Sequence, residues 1–549
     1  MSLPKITKKA IRLNPRRLGK EFSPASFSDA VSLNTSSINE AIKNPINPIP
    51  DFNDTQGAYQ SKSNGELLRA ATCFRLCKIP WLVSNAEMLM RASRRISPSA
   101  TDAIVKSTLY GQFCAGEDQS RIQPVLNKLN EFGVGSILDY AAESDETPSQ
   151  SVNATSSREY EYESEAQCDR HVETFKQCIR DASHGSKDSY AAVKVTALGN
   201  PKLLARMSQA IVEAKRLFEK FDTNNDGFIQ REEFELAYKH FFYDDDATIK
   251  NIFEEFDLKN DGQIDYISWS MMLNPQDLPK ITATCREIGP LAMAAPTEEE
   301  IELIEEMYKR GHVLANEAAQ FGTRLLIDAE QVRYQPAIDK LVLDLQRKFN
   351  STQDSTKPLI YNTYQCYLKD ASERIQTDVM RSQLFGYHFG TKLVRGAYME
   401  SERALAKKMG LPSPIHDTID DTHKCYDDAI EFLLHYSTVS NEKVEIMGAT
   451  HNQTSIEKAI RVMEKYGIDK KSSTICFAQL YGMMDHLTFN LGKHGYRAYK
   501  YVPYGEVHEV IPYLLRRAQE NSAIVGGTAS ELLMIQSELG RRVRNTIGL

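Results

Sequence analysis

The sequence lacks any long hydrophobic run: nothing in its 549 residues approaches the roughly 18 consecutive apolar residues that a membrane-crossing helix needs. It also lacks a basic excess. Lys and Arg number 66 against 74 Asp and Glu, a net charge of −8, and a chain without a basic face is a poor nucleic-acid binder. Its nine cysteines do not cluster: they are scattered along the chain, mostly in apolar surroundings such as Ile475-Cys476-Phe477. That pattern reads as buried reduced thiols and excludes a disulfide framework. Cys168 and Cys178 stand ten apart on a helical stretch, and no Cys or His group has zinc-ligand spacing. No Gly-x-Gly-x-x-Gly follows an apolar run, which speaks against a dinucleotide fold.

What is present is globular: 41% hydrophobic and 26% charged residues, in a chain long enough for one large domain with additions. Residues 1–20 carry Lys5, Lys8, Lys9, Arg12, Arg16, Arg17 and Lys20 with no acidic residue, which reads as a mitochondrial targeting peptide or as a basic tail. Residues 1–62 are read as this leader, irregular where Ser, Asn and Pro dominate. Apolar residues at helical spacing from Gly65 predict a helical arm over 63–130. The Ser-, Thr- and Glu-rich stretch 144–165 reads as a solvated loop.

Beyond the arm, apolar runs at 135–142, 190–198, 323–329, 358–365, 390–397, 443–448, 472–478 and 497–502 predict eight strands, most separated by amphipathic helical stretches. Repeated βα units close most naturally as a parallel (β/α)8 TIM-type barrel, with an open doubly wound sheet as the alternative. The barrel is expected over 131–204 and 286–549, interrupted by a helical insertion over 205–285.

That insertion has its own chemistry. Residues 222–233 read DTNNDGFIQREE, placing Asp222, Asn224, Asp226, Phe228 and Glu233 at the ligand positions of a calcium loop, with Gly227 at the sharp turn. Phenylalanines at helical spacing flank it, so an EF-hand pair is expected. A second loop, 257–268, has Lys259 and Ser268 where ligand oxygens belong, so it is expected to keep the shape and lose the ion.

A barrel of this kind carries its chemistry at the carboxyl ends of the strands. Those ends offer Asp139 and Glu143, Lys194, Asp328 and Glu330, Asn362 and Gln365, Lys392, Arg395 and Tyr398, His451 and Asn452, Gln479 and Tyr501. Farther on, Pro512 opens a helix bearing Tyr513, Arg516, Arg517 and Glu520, and adjacent arginines about 100° apart can converge on one small carboxylate.

Five motifs in order, Asp328-Ala329-Glu330, Tyr364-Gln365, Leu393 to Tyr398, Ala449 to Asn452 and Tyr501 to Asn521, resemble those of proline dehydrogenases. The resemblance runs from about Asp139 to Asn521, outside the insertion. It implies a distorted barrel with noncovalent FAD, and oxidation of L-proline to 1-pyrroline-5-carboxylate by hydride transfer from C5 to flavin N5. By the same resemblance Lys194, Arg516 and Arg517 take the substrate carboxylate, Tyr501, Tyr513 and Leu480 wall the ring, and Glu520 holds an arginine. Asp328 and Glu143 would lie under the substrate pocket, pairing Lys194 and the arginines. Lys392, Val394, Gly396, Ala397 and Tyr398 would run along the flavin, together with Gln365 and Arg395. Asn362 would lie near its reactive edge, and Thr450, His451 and Asn452 near its ribityl and phosphate portion. Lys392 and Asn362 stand where bacterial relatives carry Arg and Gln.

The resemblance also implies a quinone acceptor and peripheral contact with the inner mitochondrial membrane; a homo-oligomer is left open. A hydroxyproline dehydrogenase is the alternative on the same scaffold, disfavoured by a tyrosine at 501 that crowds C4 of the ring. A calcium-responsive binding protein with an inactive barrel is the reading from another class, and the intact cations at the barrel mouth argue against it.

Overall fold

Eight of the apolar runs fold into parallel strands because each alternates between residues that fill a barrel interior and residues that pack on surrounding helices. The computed structural model describes residues 46–141, 162–185, 188–440, 442–523 and 527–547, of which those from Ile49 onward form one unit. Of the preceding segment only Ile46 to Pro48 is described, so the basic amino terminus falls outside it.

The barrel strands are β1 (Val134–Tyr140), β2 (Tyr190–Val193), β5 (Arg324–Ile327), β6 (Ile360–Gln365), β7 (Phe389–Val394), β8 (Val444–Ala449), β9 (Ile475–Leu480) and β10 (Ala498–Tyr504). They close in the order β1, β2, β5, β6, β7, β8, β9, β10 and back to β1, all pairs parallel. The expected strand over 190–198 is shorter than its apolar run. It ends at Val193, and Val195 to Ala197 form a tight helical turn that aims Lys194 at the barrel mouth.

The barrel floor is sealed. Tyr190 meets Tyr361 and Tyr499 edge-on at 5.6 and 5.2 Å, and Arg324 binds the Tyr190 hydroxyl at 2.7 Å and Glu445 at 3.2 Å. This buried ion pair, with the Tyr361 hydroxyl donating to Glu445 at 2.7 Å, closes the floor and leaves the carboxyl end of the strands as the open one.

The insertion grows out of a barrel helix rather than from a linker. Pro201–Phe221 is one helix: Leu203, Leu204 and Met207 pack in the barrel core, while Ala210, Ala214, Phe218 and Phe221 pack in the insertion's own core. The expected boundary at 205 therefore lies inside a continuous helix, and the second core extends past 285 to Ala294. Two helix–loop–helix units are joined through β3 (Phe228–Gln230) and β4 (Gln263–Asp265), antiparallel, with Ile229 opposite Ile264. Gly227 and Gly262 sit at φ 86° and 83°, the turn conformation that a side chain resists.

The arm also departs from its expected start. Asp54 caps a short helix, Thr55–Tyr59, whose Ala58 and Tyr59 are buried, so order begins ahead of residue 63. Arg542 of the last helix, Gly527–Ile547, ties the arm down by donating to the Tyr59 and Lys62 carbonyls at 2.7 and 2.8 Å. Phe74, Tyr110, Phe113 and Cys114 of the arm pack against Tyr513 and Leu514, and so brace the helix Ile511–Ala523 over the barrel mouth.

Candidate functional site

Inward-facing residues recur every second position along each strand and end in polar groups at the mouth. Ile137 leads to Asp139, Tyr190 and Ala192 to Lys194, Arg324 and Leu326 to Asp328, and Tyr361 and Thr363 to Gln365. Together with Lys392, Val394, Met447, Ala449, Ala478 and Tyr501 they line a cavity of about 350 Å³, roofed by Tyr513, Arg516, Arg517 and Glu520. The volume suits a small ligand and part of a larger planar one.

At one side cations gather. Lys194 lies 3.8 Å from Asp139, and Arg517 binds Glu520 at 2.7 Å from within the same helix. The Arg517 Nε–H and the Tyr513 hydroxyl are buried without a hydrogen-bond partner, donors suited to an anionic group entering beside them. Both Tyr513 and Tyr501 are held neutral by burial, which pushes each phenol well above its ordinary value. Asp328 lines the same cavity as the arginines with which it was expected to pair, but its bonds go to other groups. Its carboxylate accepts from Lys392 Nζ and, at 2.9 Å, from the Tyr501 hydroxyl, because strands β5, β7 and β10 bring these three side chains inward at the same height. Glu143 lies outside the described residues.

Along β7 the chain leaves the barrel through Arg395, Gly396 and Ala397. Gly396 adopts φ 136°, and a Cβ there would lie 2.5 Å from the Tyr367 ring, so only glycine lets the main chain pass between that ring and the cavity. The Arg395 guanidinium binds His423 Nδ1, Thr450 Oγ1 and Ser455 Oγ at 2.9, 2.6 and 2.8 Å, with the Tyr426 ring 4.4 Å away. His451 Nε2 accepts the Leu480 amide at 3.1 Å, which puts its proton on Nδ1. Burial, with the nearby charges of Lys500 and Arg517, pushes the imidazolium down to about 3, so the ring is a neutral donor. Gln365 is fixed by donating to the Glu330 carbonyl at 2.8 Å. Glu330 itself is buried on Thr196 and pushed up by burial to about 7.

Two expected residues do not reach the cavity. Asn362 is one position out of phase on β6: its amide donates to Asp339 at 3.0 Å on the helix side, and Thr363 takes the inward place. Asn452 caps the helix Gln453–Lys465, accepting from the Ser455 amide at 3.2 Å. Ile137, Thr363, Met447 and Ala478 line the cavity and were not singled out in the sequence; counting back by twos from Asp139, Gln365 and His451 finds the first three, and from Leu480 the fourth.

The expected calcium ligands behave differently. Asp222 accepts the Asp226 and Gly227 amides at 3.1 and 2.9 Å, and Glu233 accepts from Thr223 and Gln230. Among the described residues no three acidic, imidazole or thiol groups are gathered as a metal site, so the carboxylates expected as calcium ligands do not converge in this loop. In the second loop the Lys259 ammonium binds Asp265.

The sequence model of the proline dehydrogenase family matches residues 122–530. Human "Proline dehydrogenase 1, mitochondrial" is 36% identical, covering 92% of this chain and 91% of that one. The Caenorhabditis elegans protein of the same name is 34% identical over 90% and 88% of the two chains. Rat "Hydroxyproline dehydrogenase" is 30% identical over 89% and 93%. Among solved structures, proline utilization A from Bdellovibrio bacteriovorus, inactivated by N-propargylglycine, shares the fold with a TM-score of 0.52 at 17% identity. It covers 86% of this chain and 38% of its own. Family match, near full-length relatives and a barrel with an intact polar mouth agree: the chain is an enzyme and belongs to the proline dehydrogenase family.

Proposed function

We propose that the chain oxidises L-proline to 1-pyrroline-5-carboxylate with FAD as its noncovalent cofactor, passing the electrons to a quinone, in mitochondria. The observation that carries this reading is the pairing, in one cavity, of the Lys194, Arg516 and Arg517 cations with the Tyr501, Tyr513 and Leu480 walls. A carboxylate joined to a small saturated ring matches that division.

The residues present fit a flavin. The end of β7 and the segment that follows it, Lys392 to Tyr398, form one edge of the cavity, with Gly396 lacking the Cβ that would strike the Tyr367 ring. Arg395, Thr450 and His451 supply positive charge and neutral donors for the ribityl and phosphate portion. When bound, the flavin supplies the two-electron acceptor for the hydride leaving proline C5. The chain's own part is orientation: the arginines fix the carboxylate, the tyrosines and Leu480 press on the ring, and the roof limits water. Loss of the C5 hydride is assisted by the amine lone pair, so the amine reacts neutral and no dedicated protein base is required.

Tyr501 favours proline over 4-hydroxyproline, since its ring is pinned by the bond from its hydroxyl to Asp328. The test compares L-proline, 5,5-dideuterated L-proline and trans-4-hydroxy-L-proline. A product two hydrogens lighter, an isotope effect at C5 and poor turnover of the hydroxylated ring support the reading. Equal turnover of both rings would move it to hydroxyproline.

Calcium at the first insertion loop rests on the ligand spacing of Asp222 to Glu233 and on the paired loops. Calorimetry with calcium is expected to find one site, abolished by Glu233→Gln. Unchanged activity and melting temperature with calcium would remove any regulatory role.

A further inference from the structure

The arm helices Pro80–Ser84 and Ala86–Ile96 contain no buried residue, although they carry apolar side chains. Trp81, Met88, Ile96 and, on the next helix, Ile104 are 64%, 59%, 87% and 65% exposed. Between Arg75 and Lys106 the chain holds six cations, Arg75, Lys78, Arg91, Arg94, Arg95 and Lys106, against only Glu87 and Asp102, within a protein whose net charge is −8. Arg91 is tied to Glu87 and Arg94 to Asp102, so the two acids are spent locally, while Arg75, Lys78 and Arg95 lie exposed beside the apolar side chains.

We infer that this face docks on an anionic phospholipid bilayer, and the inference rests on the quinone reading above. Large apolar side chains standing among Lys and Arg on short helices suit an interface in which rings and aliphatic tips enter the acyl boundary while cations meet phosphate. An exposed Trp is the side chain that prefers that boundary. Among the described residues no helix is long and apolar enough to cross a membrane, so attachment through this face is peripheral.

Position gives the independent argument. The Pro80–Ser84 helix packs on the helix Ile511–Ala523, the same element that presents Tyr513, Arg516 and Arg517 to the cavity. The docking face therefore adjoins the roof of the site. A lipid-dissolved electron acceptor would meet the protein where that roof is, rather than at the sealed barrel floor.

The flavin-loaded full chain is sedimented with vesicles of phosphatidylcholine alone or with about one third phosphatidylglycerol, at low and high salt. Binding is expected on the anionic vesicles, weakening as salt rises. Trp81→Ser/Met88→Ser/Ile96→Ser should lower it at least about tenfold, and Lys78→Gln/Arg91→Gln/Arg95→Gln should remove the preference for anionic lipid. Both variants should keep the wild-type rate with a soluble dye as acceptor. Wild type that ignores vesicles, or variants that bind as wild type does, would overturn the proposal. So would a dimer in solution that the apolar variant dissolves, since the face would then belong to a second copy. Bleaching by L-proline is read in the same samples. Bleaching without vesicle binding sinks the surface alone, whereas binding without bleaching sinks the substrate reading.

Discussion

Replacing Arg517 by Met removes a cation that is 8% exposed, linked to Glu520 at 2.7 Å and with its Nε–H otherwise unpartnered. If two charge-assisted bonds to the substrate carboxylate are lost, at about 1.5–3 kcal/mol each, the transition state loses roughly 3–6 kcal/mol. At about 1.4 kcal/mol per decade that is a loss of roughly 10²–10⁴ in kcat/KM for L-proline. Glu520 is 34% exposed, so water can take over its lost partner and the fold should be little affected. Lysine keeps the charge but not the planar fork, so Arg517→Lys should fall between, nearer about tenfold. The decisive control is pyrrolidine, which has the ring and no carboxylate: its slow oxidation should change by no more than about threefold in Arg517→Met. A loss below about fivefold for L-proline, or an equal loss for pyrrolidine, would refute the carboxylate clamp and leave Arg517 a merely structural role.

Other expectations follow from single contacts. Gly396→Ala forces a Cβ to 2.5 Å from the Tyr367 ring at φ 136°, a strain of about 2–5 kcal/mol; the protein should purify with little flavin, and full occupancy would contradict the account of that strand. Asp328→Asn strands the Lys392 ammonium and should cost about 3 kcal/mol, most of it recovered in Asp328→Asn/Lys392→Met; additive losses would show the pair uncoupled. His451 is neutral in the fold down to about 3, whereas in the unfolded chain it protonates near 6.5. Its contribution is thus present above 6.5 and lost as pH falls toward 3, at up to about 1.4 kcal/mol per pH unit, and His451→Gln should flatten the stability profile there.

Eight strands were legible because each is a short apolar run bounded by helical patterns, and the mouth was legible because polar residues end those runs. Phase was harder to read. Asn362 and Gln365 both sit near the end of β6, and only the two-residue alternation through Tyr361 and Thr363 tells which one faces the cavity. Asp328 was assigned to the arginines because sequence gives strand ends without heights; Lys392 and Tyr501 meet it only when the barrel closes. The insertion's boundary was misplaced for a related reason: the helix Pro201–Phe221 keeps one apolar periodicity while passing from one core to another.

The central claim is that this cavity holds a flavin and takes a hydride from L-proline. Anaerobic mixing of the purified protein with L-proline, followed by flavin absorbance, tests it most directly. The account predicts prompt bleaching by L-proline, weak bleaching by 4-hydroxyproline and almost none in Arg517→Met. A protein that binds no flavin after reconstitution, or a flavin that L-proline leaves oxidised, would contradict it.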